Sequence, residues 1–262
     1  MDERQTTITE AAARAAAEAA SGVADAAGEA TRAAREVVDA QTVSPRVAVA
    51  RGRRAQRVAL AALGGFAAIF LVVRADRTGA FDVAATMKLQ RQRIPLLARL
   101  MAVVSWPGFP PQSRILPATV IGSMWLLRLR LEAILQTVAW STGLISSGLK
   151  VFMKRPRPVA GHDVRVAAAT LGGSSFPSGH VITYVGNYGF LAFLAASLIR
   201  PRRWRRGIVG LLAALVGLVG PSRIYQGHHW PTDVLASYLL GTSWLIAVTS
   251  LYRRLKERSV RD

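Results

Sequence analysis

Residues 207–251 read GIVGLLAALVGLVGPSRIYQGHHWPTDVLASYLLGTSWLIAVTSL. An apolar run (207–220) gives way to a polar connection (221–233), and a second apolar run (234–251) follows. Ionisable groups are clumped between the runs and do not alternate along them. That is the pattern of a chain in a bilayer, where hydrocarbon thickness sets segment length at about 20 residues. The connection carries Ser222-Arg223-x5-His229-x3-Asp233. His229 and Asp233 are four apart, so they share a face if the second helix begins near Pro231, a residue suited to a first helical turn. A carboxylate bonded to one ring nitrogen would fix the tautomer and sharpen the other nitrogen as a nucleophile. His228 is the alternative nucleophile, but the spacing to Asp233 favours His229. An acid at the edge of a membrane span is costly without a purpose.

Working outward, six apolar stretches cover roughly 58–73, 115–129, 131–149, 181–199, 207–220 and 234–251. Basic clusters punctuate them: four Arg before the first, Arg128 and Arg130 between the second and third, five Arg over 200–206, and Arg253 to Arg258 after the last. With the N-terminus cytoplasmic, all four clusters fall on the cytoplasmic side, as the positive-inside rule expects. The reading is therefore an all-α, polytopic bundle of six transmembrane helices with both termini cytoplasmic. Residues 82–106 mix Lys88, Arg91, Arg93 and Arg99 with large apolar residues. This segment is expected to lie along the membrane surface as an amphipathic helix.

Two further motifs fall in connections on the same, extracytoplasmic side: Lys150-x6-Arg157-Pro158 after the third span, and Pro177-Ser178-Gly179-His180 before the fourth. Lys150, Arg157 and Arg223 supply fixed positive charge, and guanidinium forks match phosphate oxygens in pairs. Ser178 is placed to cap a helix whose free N–H groups bind anions, and Gly179 lets the backbone approach closely. Such a set suits the spread negative charge of phosphoryl transfer. His229 is then the nucleophile and His180 the general acid. Lys154 and Arg155, inside the first motif, are expected to hold a second phosphate. Singly, each of these residues has a structural reading as an interface charge, a helix cap or a structural histidine. Together those readings need three unrelated accidents on one membrane face.

KxxxxxxRP, PSGH and SRxxxxxHxxxD resemble the three motifs of the type-2 phosphatidic acid phosphatase (PAP2) superfamily, in order and with every position filled. The resemblance spans roughly residues 58–251. It implies a PAP2/haloperoxidase-like helical core with His229 as nucleophile, Asp233 as its partner and His180 as acid. Lys150, Arg157, Ser178, Gly179, His180 and Arg223 would form the phosphate pocket, with no metal and no cofactor. The implied substrates are lipid phosphates or diphosphates of the undecaprenyl diphosphate, phosphatidic acid or phosphatidylglycerol phosphate class, cleaved at the outer face of a bacterial plasma membrane. A phosphotransferase passing the same phosphoryl group to a lipid or sugar is the first alternative. A non-catalytic lipid-binding membrane protein is the second.

Composition narrows the remaining classes. The chain of 262 residues has no cysteine, which excludes disulfides, thiolate nucleophiles and zinc–sulfur sites. Its formal charge of +19 suggests nucleic acid, but residues 1–50 have a net charge of −3. The excess flanks apolar runs, so no nucleic-acid partner is expected; the partners are membrane lipids and a lipid phosphate. Residues 6–40 are rich in Ala with scattered charge and lack large apolar side chains. The expected organisation is an Ala-rich cytosolic arm, helical or disordered, over 1–50, followed by a membrane phosphatase domain over 51–262.

Overall fold

A computed structural model describes residues 45–160, 164–166 and 172–258. The Ala-rich stretch 6–40 lies outside the described residues. The chain divides into two compact units between Arg53 and Arg54. The described part of the first unit is helical from Pro45, and everything below concerns the second.

Among the described residues the regular structure is helical throughout. The helices are α1 (Pro45–Arg74), α2 (Gly79–Gln90), α3 (Pro95–Ser105), α4 (Gln112–Leu126), α5 (Arg130–Trp140), α6 (Thr142–Met153), α7 (Gly179–Thr183), α8 (Gly189–Leu198), α9 (Arg202–Tyr225) and α10 (Pro231–Arg258). A π-helical segment, Tyr184–Tyr188, joins α7 to α8. Local sequence sets the boundaries. Pro95 and Pro231 occupy first-turn positions, where a missing N–H costs nothing. Arg128, at φ 62°, reverses the chain between α4 and α5. Lys154, at φ 44°, ends α6 in the left-handed conformation and donates its N–H to the Lys150 carbonyl.

Among the described residues, four helical segments are long and apolar enough to cross a membrane: Gly52–Arg74, Gly179–Leu198, Arg202–Tyr225 and Pro231–Arg258. The chain is thus a membrane protein. The second and third apolar stretches become shorter pieces, α4 with 15 residues and the abutting pair α5 and α6, which meet at Ser141.

Three apolar clusters hold the bundle. Met124, Leu135, Phe190, Leu194 and Tyr252 join α4, α5, α8 and α10. Val104, Val181, Tyr184, Val219 and Val234 join α3, α7, α9 and α10. Phe66 and Val73 of α1 meet Met153, Phe176 and Ala236. Some polar groups inside the bundle pair with one another, as a low-dielectric interior favours. Gln136 on α5 donates to the backbone carbonyl and Oδ1 of Asn187 in the π-helical segment, at 2.9 and 2.8 Å.

Residues 82–106 form two helices where one was expected, and the first wears its polarity inside. Asp82, Thr86 and Gln90 make one buried stripe of α2. Phe81, Leu96 and Val103 are 62%, 75% and 68% exposed. The reason lies in the loops that this stripe receives. Gln90 donates to the carbonyls of Arg165 and Tyr225 and accepts from the Arg165 N–H, and Arg165 Nη2 donates back to the Gln90 carbonyl.

Candidate active site

Four helix ends converge on one end of the bundle. Lys150 lies in the last turn of α6, Gly179 and His180 open α7, Arg223 lies in the last turn of α9, and Asp233 lies in the first turn of α10. Arg157 and His229 come from the connections between them. Each member of the three motifs is therefore brought to the same region.

His229 is buried, and its ring is oriented by backbone. Nδ1 lies 2.7 Å from the Ser175 carbonyl oxygen. A carbonyl only accepts, so Nδ1 carries the proton and Nε2 keeps its lone pair. Nε2 faces Arg157 Nη1 at 3.4 Å. The expected carboxylate contact is longer: Asp233 Oδ2 is 3.7 Å from Nδ1. Asp233 instead accepts from the Trp230 N–H at 2.9 Å through Oδ2 and from Arg155 Nη1 at 2.5 Å through Oδ1. The tautomer is thus set by Ser175, with Asp233 beside it.

Arg157 reaches this pair through its own fork. Nη1 donates to the His228 carbonyl at 2.8 Å, and Nη2 to the Ser174 carbonyl at 3.2 Å. Arg223 is fully buried; Nη1 donates to Ser105 Oγ at 3.2 Å and Gln226 Oε1 at 3.0 Å. Its guanidinium also packs 4.9 Å over the Phe109 ring. Lys150 lies near the start of α7. A Cβ placed on Gly179 would lie 3.7 Å from Lys150 Nζ and 3.5 Å from Ser146 Oγ.

Several buried polar atoms at this end have no hydrogen-bond partner among the described residues: Ser146 Oγ, Ser178 Oγ, Arg157 Nε, Arg223 Nε and Nη2, and His180 Nε2. Every one except the imidazole nitrogen can donate whatever its tautomer. Buried polar groups are normally paired, so a ring of open donors marks a place for an acceptor-rich group such as a phosphate. Ser178 departs from its expected role here. Its hydroxyl makes no cap bond, and its N–H donates to Ser237 Oγ at 2.7 Å.

The electrostatics fit an anion site. Burial pushes the His229 imidazole well below its ordinary range, and Arg223, Arg157 and Lys150 push the same way, against the Ser175 carbonyl. His228 is lowered to about 4 by burial, then by Arg223 and Arg157. Burial also lowers the Arg157 guanidinium, opposed by Asp233. Burial, reinforced by the neighbouring positive charge, thus holds both imidazoles neutral.

Lys154 and Arg155 do not provide a second phosphate subsite together. Lys154 is the exposed end of α6, whereas both terminal nitrogens of Arg155 are spent on Thr78, Asp82, Thr232 and Asp233. Two further features escape the motifs. Ser146 stands one helical turn before Lys150, a spacing visible only once α6 is known to face Gly179. The turn Trp106–Phe109 covers His180, with the Phe109 ring centred 4.7 Å from the imidazole. A cavity of about 700 Å³ leads away from Lys150, Gly179 and His180 along α4, α5 and α6.

A sequence model of the PAP2 superfamily matches residues 132–257. Phosphatidylglycerophosphatase B of Bacillus subtilis is 29% identical over 171 residues, which is 63% of this chain and 79% of that protein. Undecaprenyl-diphosphatase BcrC of the same organism is 39% identical over 87 residues, 32% of this chain and 39% of that protein. The crystal structure of a transmembrane PAP2-type phosphatidylglycerolphosphate phosphatase from Bacillus subtilis superposes with a TM-score of 0.65 at 23% identity. That superposition covers 75% of this chain and 96% of that one.

Proposed function

The chain belongs to the PAP2 superfamily, and from that premise we propose that it is a membrane phosphatase hydrolysing a lipid phosphate or diphosphate through a phosphohistidine at His229. The single observation that carries this reading is that the Ser175 carbonyl holds the proton of His229 on Nδ1, which leaves the Nε2 lone pair beside the Arg157 guanidinium and at the same end of the bundle as buried donors suited to an anion. The substrate classes follow from the relatives, whose names specify phosphatidylglycerol phosphate and undecaprenyl diphosphate.

In this reading the phosphoryl oxygens accept from Arg157, Arg223, Lys150 and Ser178, and from the N–H groups that open α7. Nε2 of His229 attacks phosphorus and forms the P–N bond as the P–O bond to the lipid breaks. His180, protonated once the bound phosphate supplies compensating negative charge, gives that proton to the departing oxygen and becomes neutral. Water then attacks phosphorus, His180 takes its proton, and the P–N bond breaks to restore the neutral imidazole and release inorganic phosphate. The cations neutralise the phosphoryl charge, so the proposed reaction needs no metal.

Topology enters the same proposal. The four long spans, α4 and the α5–α6 pair make six crossings. The motif residues lie at one end of these helices, and Arg128, Arg130, Arg200–Arg206 and Arg253–Arg258 lie at the other. The positive-inside rule then puts the basic end and both termini in the cytoplasm and the site at the outer face of a bacterial plasma membrane. The test is phosphate release by the purified protein in detergent with EDTA, across a panel of lipid phosphates and diphosphates, beside His229→Gln. Release by the wild type alone supports metal-free hydrolysis at His229. Equal release by the variant, or a requirement for added metal, overturns it.

A further inference from the structure

Asp82 is a lone acid in the otherwise small and apolar stretch Gly79–Met87, 151 positions before Asp233, and the motifs give it no role. It is nonetheless among the most buried charged groups of the protein, 1% exposed. Its Oδ2 accepts from Arg155 Nη2 at 2.6 Å and from Thr232 Oγ1 at 2.9 Å. Its Oδ1 accepts from the Thr232 N–H at 2.9 Å. That N–H is one of the donors left open at the start of α10, so a side chain from α2 completes the end of the helix that carries Asp233.

Arg155 closes the arrangement. Nη1 donates to Asp233 Oδ1 and to Thr232 Oγ1, at 2.5 and 2.9 Å. Nη2 donates to Asp82 and, at 2.7 Å, to Thr78 Oγ1. One guanidinium thus serves two buried carboxylates with one terminal nitrogen each. A guanidinium beside a single carboxylate normally engages both oxygens in a fork. Here Asp82 holds Nη2 away, and only Asp233 Oδ1 is engaged. Oδ2 remains on the Trp230 N–H, turned towards His229 Nδ1.

We propose that Asp82 is a positioning residue, acting through Arg155 to divide the guanidinium between two carboxylates and so keep Asp233 Oδ2 facing the His229 ring. The proposal rests on the reading of His229 as the nucleophile. Without the Asp82 charge, Nη2 swings to Asp233, the fork takes both oxygens, and the ring loses its carboxylate neighbour. The guanidinium of Arg157 is held by His228, His229 and Ser174 and that of Arg223 by Ser105 and Gln226, so these proposed phosphate ligands should keep their places. Turnover should therefore fall while substrate binding holds.

The experiment compares wild type, Asp82→Asn, Asp82→Glu and Arg155→Lys by steady-state kinetics on the best lipid phosphate and by ¹⁵N-histidine NMR in detergent, with His229→Gln assigning the His229 signals. A misplacement of about 1 Å at a reacting group costs about 100-fold. Asp82→Asn should lose roughly 10- to 100-fold in kcat with KM within about twofold of wild type, and should shift the His229 Nδ1 resonance. Asp82→Glu should recover part of both. An unshifted Nδ1 resonance in Asp82→Asn, or a kcat per folded molecule equal to wild type, overturns the proposal. If the wild type hydrolyses nothing in the panel, the phosphatase reading fails on its own account, and the Nδ1 resonance still decides whether Asp82 governs the ring.

Discussion

The imidazole of His229 donates from Nδ1 to the backbone carbonyl of Ser175 at 2.7 Å, a full ångström nearer than its approach to the carboxylate of Asp233. A backbone carbonyl cannot be mutated away and does not titrate, so the proton on Nδ1 is fixed by the fold. Asp233 contributes charge beside the ring and caps the Trp230 N–H.

Asp233→Asn should therefore weaken catalysis without abolishing it. The neutral amide keeps the shape and the tautomer but withdraws the charge that stabilises an attacking imidazole. The expected loss is about 10- to 100-fold in kcat, against at least about 1000-fold for His229→Gln, which removes the proposed nucleophile. Phosphate release under saturating substrate measures both. Equal losses for the two variants would mean that the carboxylate, and not Ser175, sets the ring.

Gly108 tests the turn that covers His180. A Cβ there would stand 2.7 Å from His180 Nε2 and 2.9 Å from Cγ, inside van der Waals contact. Either the imidazole rotates out of line or the Trp106–Phe109 turn lifts away, taking Phe109 from Arg223. Gly108→Ala should lower kcat by about 10- to 100-fold, the scale of a lost general acid. Its unfolding temperature should stay near wild type, because Gly108 lies outside the apolar clusters. Wild-type turnover would show that the turn moves freely aside.

The helical class and the four long apolar spans were legible because they obey local rules, and the motifs were visible as spacings. Charge clumps and apolar runs mark helices in a bilayer, and SR-x5-H-x3-D is a spacing on one chain segment. Asp82, Arg155 and Ser175 were not legible, since each acts through a contact more than 50 residues away in sequence. Residues 82–106 misled for a physical reason. Amphipathicity reveals that a helix has two faces but not which one meets protein, and here the loops around Arg155, Arg165 and Tyr225 present carbonyls and a cation for a polar stripe to receive. The second-phosphate expectation for Arg155 failed likewise: a basic residue beside a phosphate motif looks like a ligand until its carboxylate partners are known.

Gly186 should matter to stability and not to chemistry. It lies in the π-helical segment against the end of α5 and the start of α6, and a Cβ would strike the Ala139 carbonyl and lie 2.8 Å from Thr142 Cγ2. The opposing atoms include backbone, so relief requires parting the helices. Gly186→Ala should cost about 1–3 kcal/mol, the usual range for overpacking. A thermal-shift assay in detergent reads this as a drop of several degrees, while KM at low temperature stays at the wild-type value. An unchanged unfolding temperature would place the two helices farther apart than this contact requires.

Acid should unfold the protein earlier than its carboxylates alone demand. His228 is held at about 4 in the folded chain and titrates near its ordinary value of about 6.5 when unfolded. Its folded pKa is depressed, so between these limits the unfolded chain binds the extra proton and stability rises with pH. The contribution is intact above about pH 6.5 and is lost as pH falls towards about 4. His229 shifts in the same direction and adds to the slope. Carboxylates protonate chiefly in the lower part of this window, so wild type must be compared with a variant that lacks the imidazole. Both nitrogens of His228 lack a hydrogen-bond partner among the described residues, so His228→Gln removes the titration without breaking a bond. Unfolding temperature measured from pH 7.5 to 4.5 should fall less steeply for His228→Gln than for wild type, with the gap opening just below pH 6.5. Parallel curves would mean that His228 is already solvated enough to titrate normally in the folded protein.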